Sequence, residues 1–292
     1  MTLFALGLVL AAGFLHATWN LLAKRAGGAA SGPAFVWLCS ALSAAIFAPL
    51  VVGVIAFDEG AGVGALGLLF MFGTGVLHVG YFLTLQEGYR VADLSVVYPL
   101  ARGTGPLLAS GAAIALFGER PGPLAVAGIL LIVVGVFLLG WEPGGIRGSA
   151  RRKRLGIAFG LSTGVFIAAY TLWDKYAVSD LSLSPILYYW ASLLVETAVL
   201  LPVALRRKEE IRGAWRACWP EAVGVAVLSP LAYVLVLTAL VFAPVSNVAP
   251  AREISILVGT LMGGGLLAED GFGQRMAAAS LMVLGIVALA VG

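Results

Sequence analysis

The sequence predicts an all-α polytopic membrane protein of ten transmembrane helices, arranged as two inverted five-helix repeats. Three observations predict this. The first is composition: of 292 residues 61% are hydrophobic and 11% charged, and the mean hydropathy of +1.01 lies far outside the range of soluble domains. The second is that the apolar residues fall into ten blocks close to the ~20 residues that a bilayer requires. The third is that the second half of the chain repeats the first.

In order, the apolar spans run Leu3–Ala23, Ala34–Phe57, Ala65–Leu85, Ala92–Phe117 and Leu124–Trp141, then Leu155–Val178, Pro185–Leu205, Ala222–Phe242, Val245–Leu267 and Met276–Val291. Almost nothing remains for a soluble domain. The first span is full length and lacks the basic start, short apolar core and small-residue cleavage site of a removable signal, so it is expected to stay in the mature chain. Cys39 and Cys218 lie in or beside different spans and are expected to be buried apolar thiols.

Sliding the second half back by about 150 residues aligns it with the first. Arg102 meets Arg252, Glu119 meets Glu269 and Gly135 meets Gly285 at an offset of 150, while Lys24 meets Lys175, Ser95 meets Ser246 and Pro99 meets Pro250 at 151. Five spans per copy is an odd number, so the second copy enters the membrane in the opposite sense. A pseudo-two-fold axis in the membrane plane follows, with a site near the midplane between the copies. The units are residues 1–142, a basic linker at 143–154 on the cytoplasmic side, and residues 155–292.

Spans four and nine are odd membrane helices. Both carry Ser-x-x-x-Pro (Ser95/Pro99, Ser246/Pro250) followed by an arginine (Arg102, Arg252). Proline removes a backbone donor and clashes with the preceding turn, and an arginine about ten residues into a span sits roughly 15 Å deep. Its insertion cost, about 2.5–3.5 kcal/mol on insertion scales, is tolerable where it faces a partner or a wet cavity. Both spans are therefore expected to be broken helices facing a binding site.

Charge sets the orientation. Leaving aside Arg102 and Arg252, fourteen Lys and Arg residues fall in odd-numbered loops and two, Arg120 and Lys175, in even ones. That bias puts the odd loops in the cytoplasm and both termini outside. The runs RRKR (Arg151–Arg154) and RRKEEIR (Arg206–Arg212) read as topology signals and anionic-lipid contacts. No aromatic-interleaved soluble surface accompanies them, which argues against nucleic acid as a partner.

A helix ending in an Asn/Thr-x-x-x-Lys corner (Asn20/Lys24, Thr171/Lys175), a fourth span with Pro and Arg, a Gly/Ala-Glu corner (Gly118-Glu119, Ala268-Glu269) and a Gly-rich fifth span are all duplicated. Together they resemble the two EamA domains of the drug/metabolite transporter superfamily, over essentially the whole chain. The resemblance implies alternating access in a bacterial inner membrane and, as in many bacterial members, export of amino acids or other metabolites. It also implies a solute held between helices 1, 3, 4 and 6, 8, 9, with 5 and 10 peripheral. The pair Arg252-Glu253 departs from Arg102-Gly103, so the two half-sites differ chemically.

The candidate binding residues follow. Helix 1 offers His16, Trp19 and Asn20 at i, i+3, i+4 spacing, and helix 3 repeats it with His78, Tyr81 and Phe82. Helix 4 adds Tyr98 and Arg102; helix 6 adds Tyr170, with Thr163, Phe166 and Trp173 nearby; helix 8 adds Ser229 and Tyr233; helix 9 adds Arg252 and Glu253, with Asn247. Aromatic walls with a few polar groups suit small amphipathic solutes, whose carboxylate can meet an arginine. Aromatic and bulky neutral amino acids are the first expectation. The alternatives are an uncoupled carrier or a proton antiporter for drugs, nucleosides or sugars, or a channel or intramembrane enzyme. Glu253, Glu196 and the two histidines are the deep proton-carrier candidates, with Glu87 and Asp174 near span ends. Trp141, Trp190, Trp215 and Trp219 read as interfacial anchors, and Trp173, Tyr188 and Tyr189 as either anchors or lining.

An enzyme is disfavoured. No His-Glu-x-x-His occurs, neither histidine has a nearby cluster of metal ligands, and no Gly-x-x-x-x-Gly-Lys loop is present to cradle a phosphate. The partners expected are thus a small-molecule substrate and the lipid bilayer, with no cofactor and no metal, acting as a monomer or weak homodimer. A reporter fused after Gly292 is expected outside the cytoplasm; protease protection and reporter activity check this, and a cytoplasmic reporter overturns the orientation.

Overall fold

The computed structural model describes residues 1–26, 32–57, 63–92, 94–139, 150–262 and 272–292; among them the secondary structure is helical, without strands. Residues 143–149 of the linker, Trp141, Gly263, Leu267 and the Ala268-Glu269 corner lie outside the described residues, as do the side chains of Ser95 and Arg275. The first half contains α1 (Leu3–Arg25), α2 (Pro33–Phe57), α3 (Ala65–Val91), α4 (Leu94–Leu116) and α5 (Pro123–Leu139). The second contains α6 (Ala150–Lys175), continued by a π-helical turn at Tyr176–Asp180, then α7 (Pro185–Arg206), α8 (Lys208–Phe242), α9 (Val245–Ala251), α10 (Ile254–Met262) and α11 (Phe272–Val291). Thr2 caps α1 through its hydroxyl, which accepts from the Ala5 amide. Proline opens α2, α5 and α7, where its missing N–H is one that no helical carbonyl needs.

Six of these helices, α1, α2, α3, α6 with its π turn, α7 and α8, are long and apolar enough to cross a membrane; α5 and Met276–Val291 are shorter apolar helices. Two expectations change. Span four is not broken: α4 runs through Pro99, Arg102 and Pro106 as one helix. Span nine is, with Arg252 and Glu253 forming a turn between α9 and α10. Adjacent residues on a helix point about 100° apart. Here the backbone tightens to i→i−3 bonds, Glu253 to Pro250, Ser255 to Arg252 and Ile256 to Glu253, and α4 has no such pair to accommodate. In addition, α8 begins at Lys208 rather than Ala222, with a non-helical Cys218 (φ −147°, ψ 41°) at the kink between its amphipathic start and its apolar body.

Packing repeats under exchange of the halves. α1 lies on α8 as α6 lies on α3, α4 on α6 as α10 on α1, and α3 on α7 as α8 on α2, while α2–α7, α4–α9 and α5–α11 pair each element with its own counterpart. Each of these contacts joins one half to the other. The interior is rich in Ala, Val and Gly, whereas large apolar residues such as Phe4, Leu130, Val134, Leu284 and Val287 are exposed on the outside. Lipid is as apolar as leucine, so small residues go between helices and large ones face out.

Two glycine seams set the closest approaches. The ladder Gly156, Gly160, Gly164 lets α6 lie on α4: an added Cβ at Gly160 would stand 2.7 Å from Leu100 Cβ, and one at Gly164 would collide with Thr104. In α5 and α11, a Cβ at Gly128 would stand 2.7 Å from the Gly285 carbonyl oxygen, and the reverse holds too.

The duplicated corners have a mechanical role. Glu119, in the turn after α4, accepts from the Val245 amide at 2.7 Å and the Ser246 amide at 2.9 Å, capping α9 from the other half with a charge that suits a helix N-terminus. Lys175 donates to the Leu240 and Ala243 carbonyls at the C-terminus of α8, where a cation is favoured. Glu119→Ala is expected to destabilise the protein by about 1–2 kcal/mol, with Glu119→Gln milder; thermal unfolding in detergent measures this, and an unchanged Tm for Glu119→Ala contradicts the capping role.

Candidate functional site

Twelve of the thirteen candidate residues come together around one cavity of about 400 Å³: His16, Trp19, Asn20, His78, Tyr81, Phe82, Tyr98, Arg102, Tyr170, Ser229, Tyr233 and Arg252 all line it. Glu253 does not. It is 1% exposed and set behind the two arginines. Thr163, Phe166, Trp173 and Asn247 are also off the wall: Thr163 bonds its own helix at Phe159 and Asn247 donates to Leu289 on α11.

The break in span nine builds the charged part of this wall. Glu253 Oε2 lies 2.8 Å from Arg102 Nε, and Glu253 Oε1 lies 3.8 Å from Arg252 Nε. These are charge contacts rather than aligned hydrogen bonds, for neither the Nε groups nor the carboxylate oxygens have a hydrogen-bond partner among the described residues. Arg102 also donates to Ser255 Oγ at 3.3 Å, and Arg252 donates to the Tyr170 hydroxyl at 2.9 Å while sitting 5.6 Å from that ring's centroid. Two cations face one anion, so the cluster carries a net positive charge.

Next to it is a set of rings. His78 lies 4.5 Å from Tyr170 and meets Tyr233 edge-on at 5.1 Å, and Tyr81 meets Tyr170 edge-on at 5.8 Å. On the α1 side His16 and Trp19 are edge to face at 4.9 Å. The Trp19 indole nitrogen is buried without a hydrogen-bond partner, an N–H donor left on the cavity wall.

Sequence reasoning missed the contribution of α2 and, on α7, that of Leu193, while it had Glu196 as a proton-carrier candidate and Tyr189 as an anchor or lining residue. Phe35, Cys39, Ser40 and Ser43 from α2 and Tyr189, Leu193 and Glu196 from α7 complete the lining. Ser43 donates to the Ala226 carbonyl and Ser40 to Glu196; small hydroxyls buried in an apolar span were the available signal. Trp190 is not an interfacial anchor: its indole donates to the Ala44 carbonyl of α2 at 2.8 Å. Trp173 stacks on Phe70 and donates to its carbonyl, and Tyr188 is wholly buried. Trp215 and Trp219 are exposed, as interfacial residues are. Asp174, near the end of α6 as expected, is buried, accepting from the Tyr188 hydroxyl at 2.7 Å and from Tyr233.

The cavity is open toward one set of loops. Its lining runs from the rings out to Ala23 near the end of α1, Phe35 near the start of α2, and Gln86 and Tyr89 near the end of α3. At the opposite ends of the helices it is shut by the Phe70–Trp173–Tyr176 stack, by Asp174 with its two tyrosines, and by the Lys175 and Glu119 ties. Glu253→Gln leaves two buried arginines without their anion, so a loss of about 3–5 kcal/mol is expected; a Tm in detergent equal to that of the wild type contradicts the assignment.

The EamA-like transporter family matches residues 3–141 and again 154–291. A solved structure, titled only as the crystal structure of a protein, is similar in fold with a TM-score of 0.77 and 17% identity, covering 98% of this chain and 96% of its own. No curated protein matches the chain in sequence. With both halves matched and a fold shared from end to end, this chain belongs to the EamA-like transporter family.

Proposed function

We propose that this chain is a secondary transporter of small metabolites, working by alternating access, whose solutes are amino acids with aromatic or bulky neutral side chains. The observation that carries the proposal is the wall of the cavity: two arginines facing one glutamate, next to a cluster of tyrosines and a free indole N–H. A net positive cluster attracts a solute carboxylate, and Arg102 and Arg252 both reach the wall to meet it. Rings of the solute pack against Tyr81, Tyr98, Tyr170 or Trp19, each contact contributing about 0.5–1.5 kcal/mol beyond area burial. A volume of about 400 Å³ falls in the range of small-molecule sites, about 300–1,000 Å³.

The wider reading is that the helices form ten spans in a bacterial inner membrane, with α9 and α10 together as the ninth. The bias of basic residues to odd loops supports a cytoplasmic location for those loops. The open side of the cavity then faces the cytoplasm, where a solute destined for export is loaded. Glu253 acts as a positioning residue, holding the two arginines at the wall.

Reconstituted protein is expected to exchange labelled L-phenylalanine and L-tryptophan by counterflow, while Arg102→Ala and Trp19→Ala insert normally and lose at least about tenfold of the flux, the equivalent of 1.4 kcal/mol. Counterflow separates a carrier from a channel. Wild-type flux in both variants refutes this cavity as the solute site, and stabilisation by nucleosides or sugars instead of amino acids in a thermal-shift screen refutes the solute class.

A further inference from the structure

One pair of titratable groups at the cavity is left over from the charged cluster. His78 lies thirteen residues beyond the start of α3 at Ala65, and Glu196 eleven beyond the start of α7 at Pro185, which puts them about 20 and 16 Å along their helices at ~1.5 Å per residue. Both are therefore near the middle of a ~30 Å hydrocarbon layer. Glu196 Oε1 is 3.8 Å from His78 Nδ1, with side-chain exposures of 12% and 13%. Its other oxygen accepts from Ser40 at 3.0 Å, and both residues line the cavity.

The neighbouring charges are committed elsewhere. Arg102 and Arg252 are held by Glu253, Ser255 and Tyr170, and Asp174 accepts from Tyr188 and Tyr233. His16 of α1 lines the same cavity but is paired edge to face with Trp19, and Cys39, Tyr81, Tyr89, Tyr98 and Tyr189, from α2, α3, α4 and α7, are neutral in their ordinary state. Among the described residues no Lys or Arg nitrogen lies within 4 Å of Glu196. A carboxylate at this depth without a guanidinium or ammonium partner needs a proton, held alone or shared with a base. The base beside it is an imidazole, the side chain whose ordinary proton affinity falls at physiological pH. Thr74 also meets the same ring nitrogen at 3.4 Å and can donate to it when it is bare.

We propose that His78 and Glu196 form a proton-binding site facing the solute cavity, and that this transporter exchanges protons for solute there. The inference rests on the transporter reading above. Loaded, the pair is neutral overall, with one proton on Glu196 or shared toward His78. On unloading, the O–H or N–H bond breaks, the electron pair stays on the protein atom and the proton passes to cavity water. The solute's ammonium group then balances the carboxylate charge. Glu253, held between Arg102 and Arg252, is not part of this pair.

Two readouts separate this proposal from the solute assignment. Infrared titration of the purified protein needs no solute: a protonated-carboxyl band is expected that Glu196→Gln removes and His78→Gln shifts in midpoint. In proteoliposomes with the membrane potential clamped at zero by an ionophore, since one proton exchanged for a zwitterion moves a net charge, L-phenylalanine is expected to be driven to about a tenfold concentration ratio per pH unit at one-to-one coupling, with the ratio falling to one for Glu196→Gln. Should Glu196→Gln fail to fold, Glu196→Asp is expected to keep the band at a new midpoint. A carboxyl band unchanged in Glu196→Gln overturns the site while leaving solute transport standing, as does wild-type L-phenylalanine flux indifferent to the proton gradient. A band lost as expected without any wild-type L-phenylalanine counterflow supports the proton site and refutes the amino-acid reading instead.

Discussion

An ionised group in the hydrocarbon layer has no water to turn to, and this requirement organises the centre of the molecule. Arg102, Arg252 and Glu253 are each less than a tenth exposed, and none is stable there alone. Their solution joins the two halves: Arg102 comes from α4, while Arg252 and Glu253 occupy the break between α9 and α10. Breaking that span lets consecutive side chains do different work, one at the wall and one behind it. The break is tolerated because its backbone groups are bonded within protein and line a cavity rather than meeting lipid.

From that centre outward, the two ends of the molecule differ. Glu119 and Lys175 satisfy helix termini at the shut end, using charges matched to the helix dipoles. At the open end Lys24, the counterpart of Lys175, is exposed. The two lysines made equivalent by the duplication thus differ: Lys175 is tied to helix carbonyls, and Lys24 is exposed. Asp174 belongs with the shut end, since Tyr188 of α7 and Tyr233 of α8 both donate to it and so draw three helices together.

Much of this was legible from residue order. The offset of 150 residues and the odd number of spans led directly to packing that maps onto itself when the halves are exchanged, and spacing on single helices placed His16 with Trp19 and His78 with Tyr81 on one wall. Other features were not local enough to read. Pro99 and Pro250 look alike in sequence, yet α4 absorbs its proline and span nine breaks, because the difference lies in the acidic neighbour of Arg252 and in that neighbour's partner, Arg102, in the other half. Glu196 and Asp174 gave no pattern of their own: their environments are made by hydroxyls on α2, α7 and α8 that come close only after folding. Trp190, near the start of its span, looked like an anchor until a carbonyl of α2 was found to receive its N–H.

The crossing of the halves also bears on how the chain is made. α1 leaves the ribosome first, yet the surfaces it packs against, α8 and α10, are translated some two hundred residues later. Until then it must wait as an independent helix in lipid, a state its own apolar surface permits but does not tie down. Docking of α1 is consequently a late step, which waits for α8 and α10, whereas α3 and α4 can already pack on α6 once that helix is made.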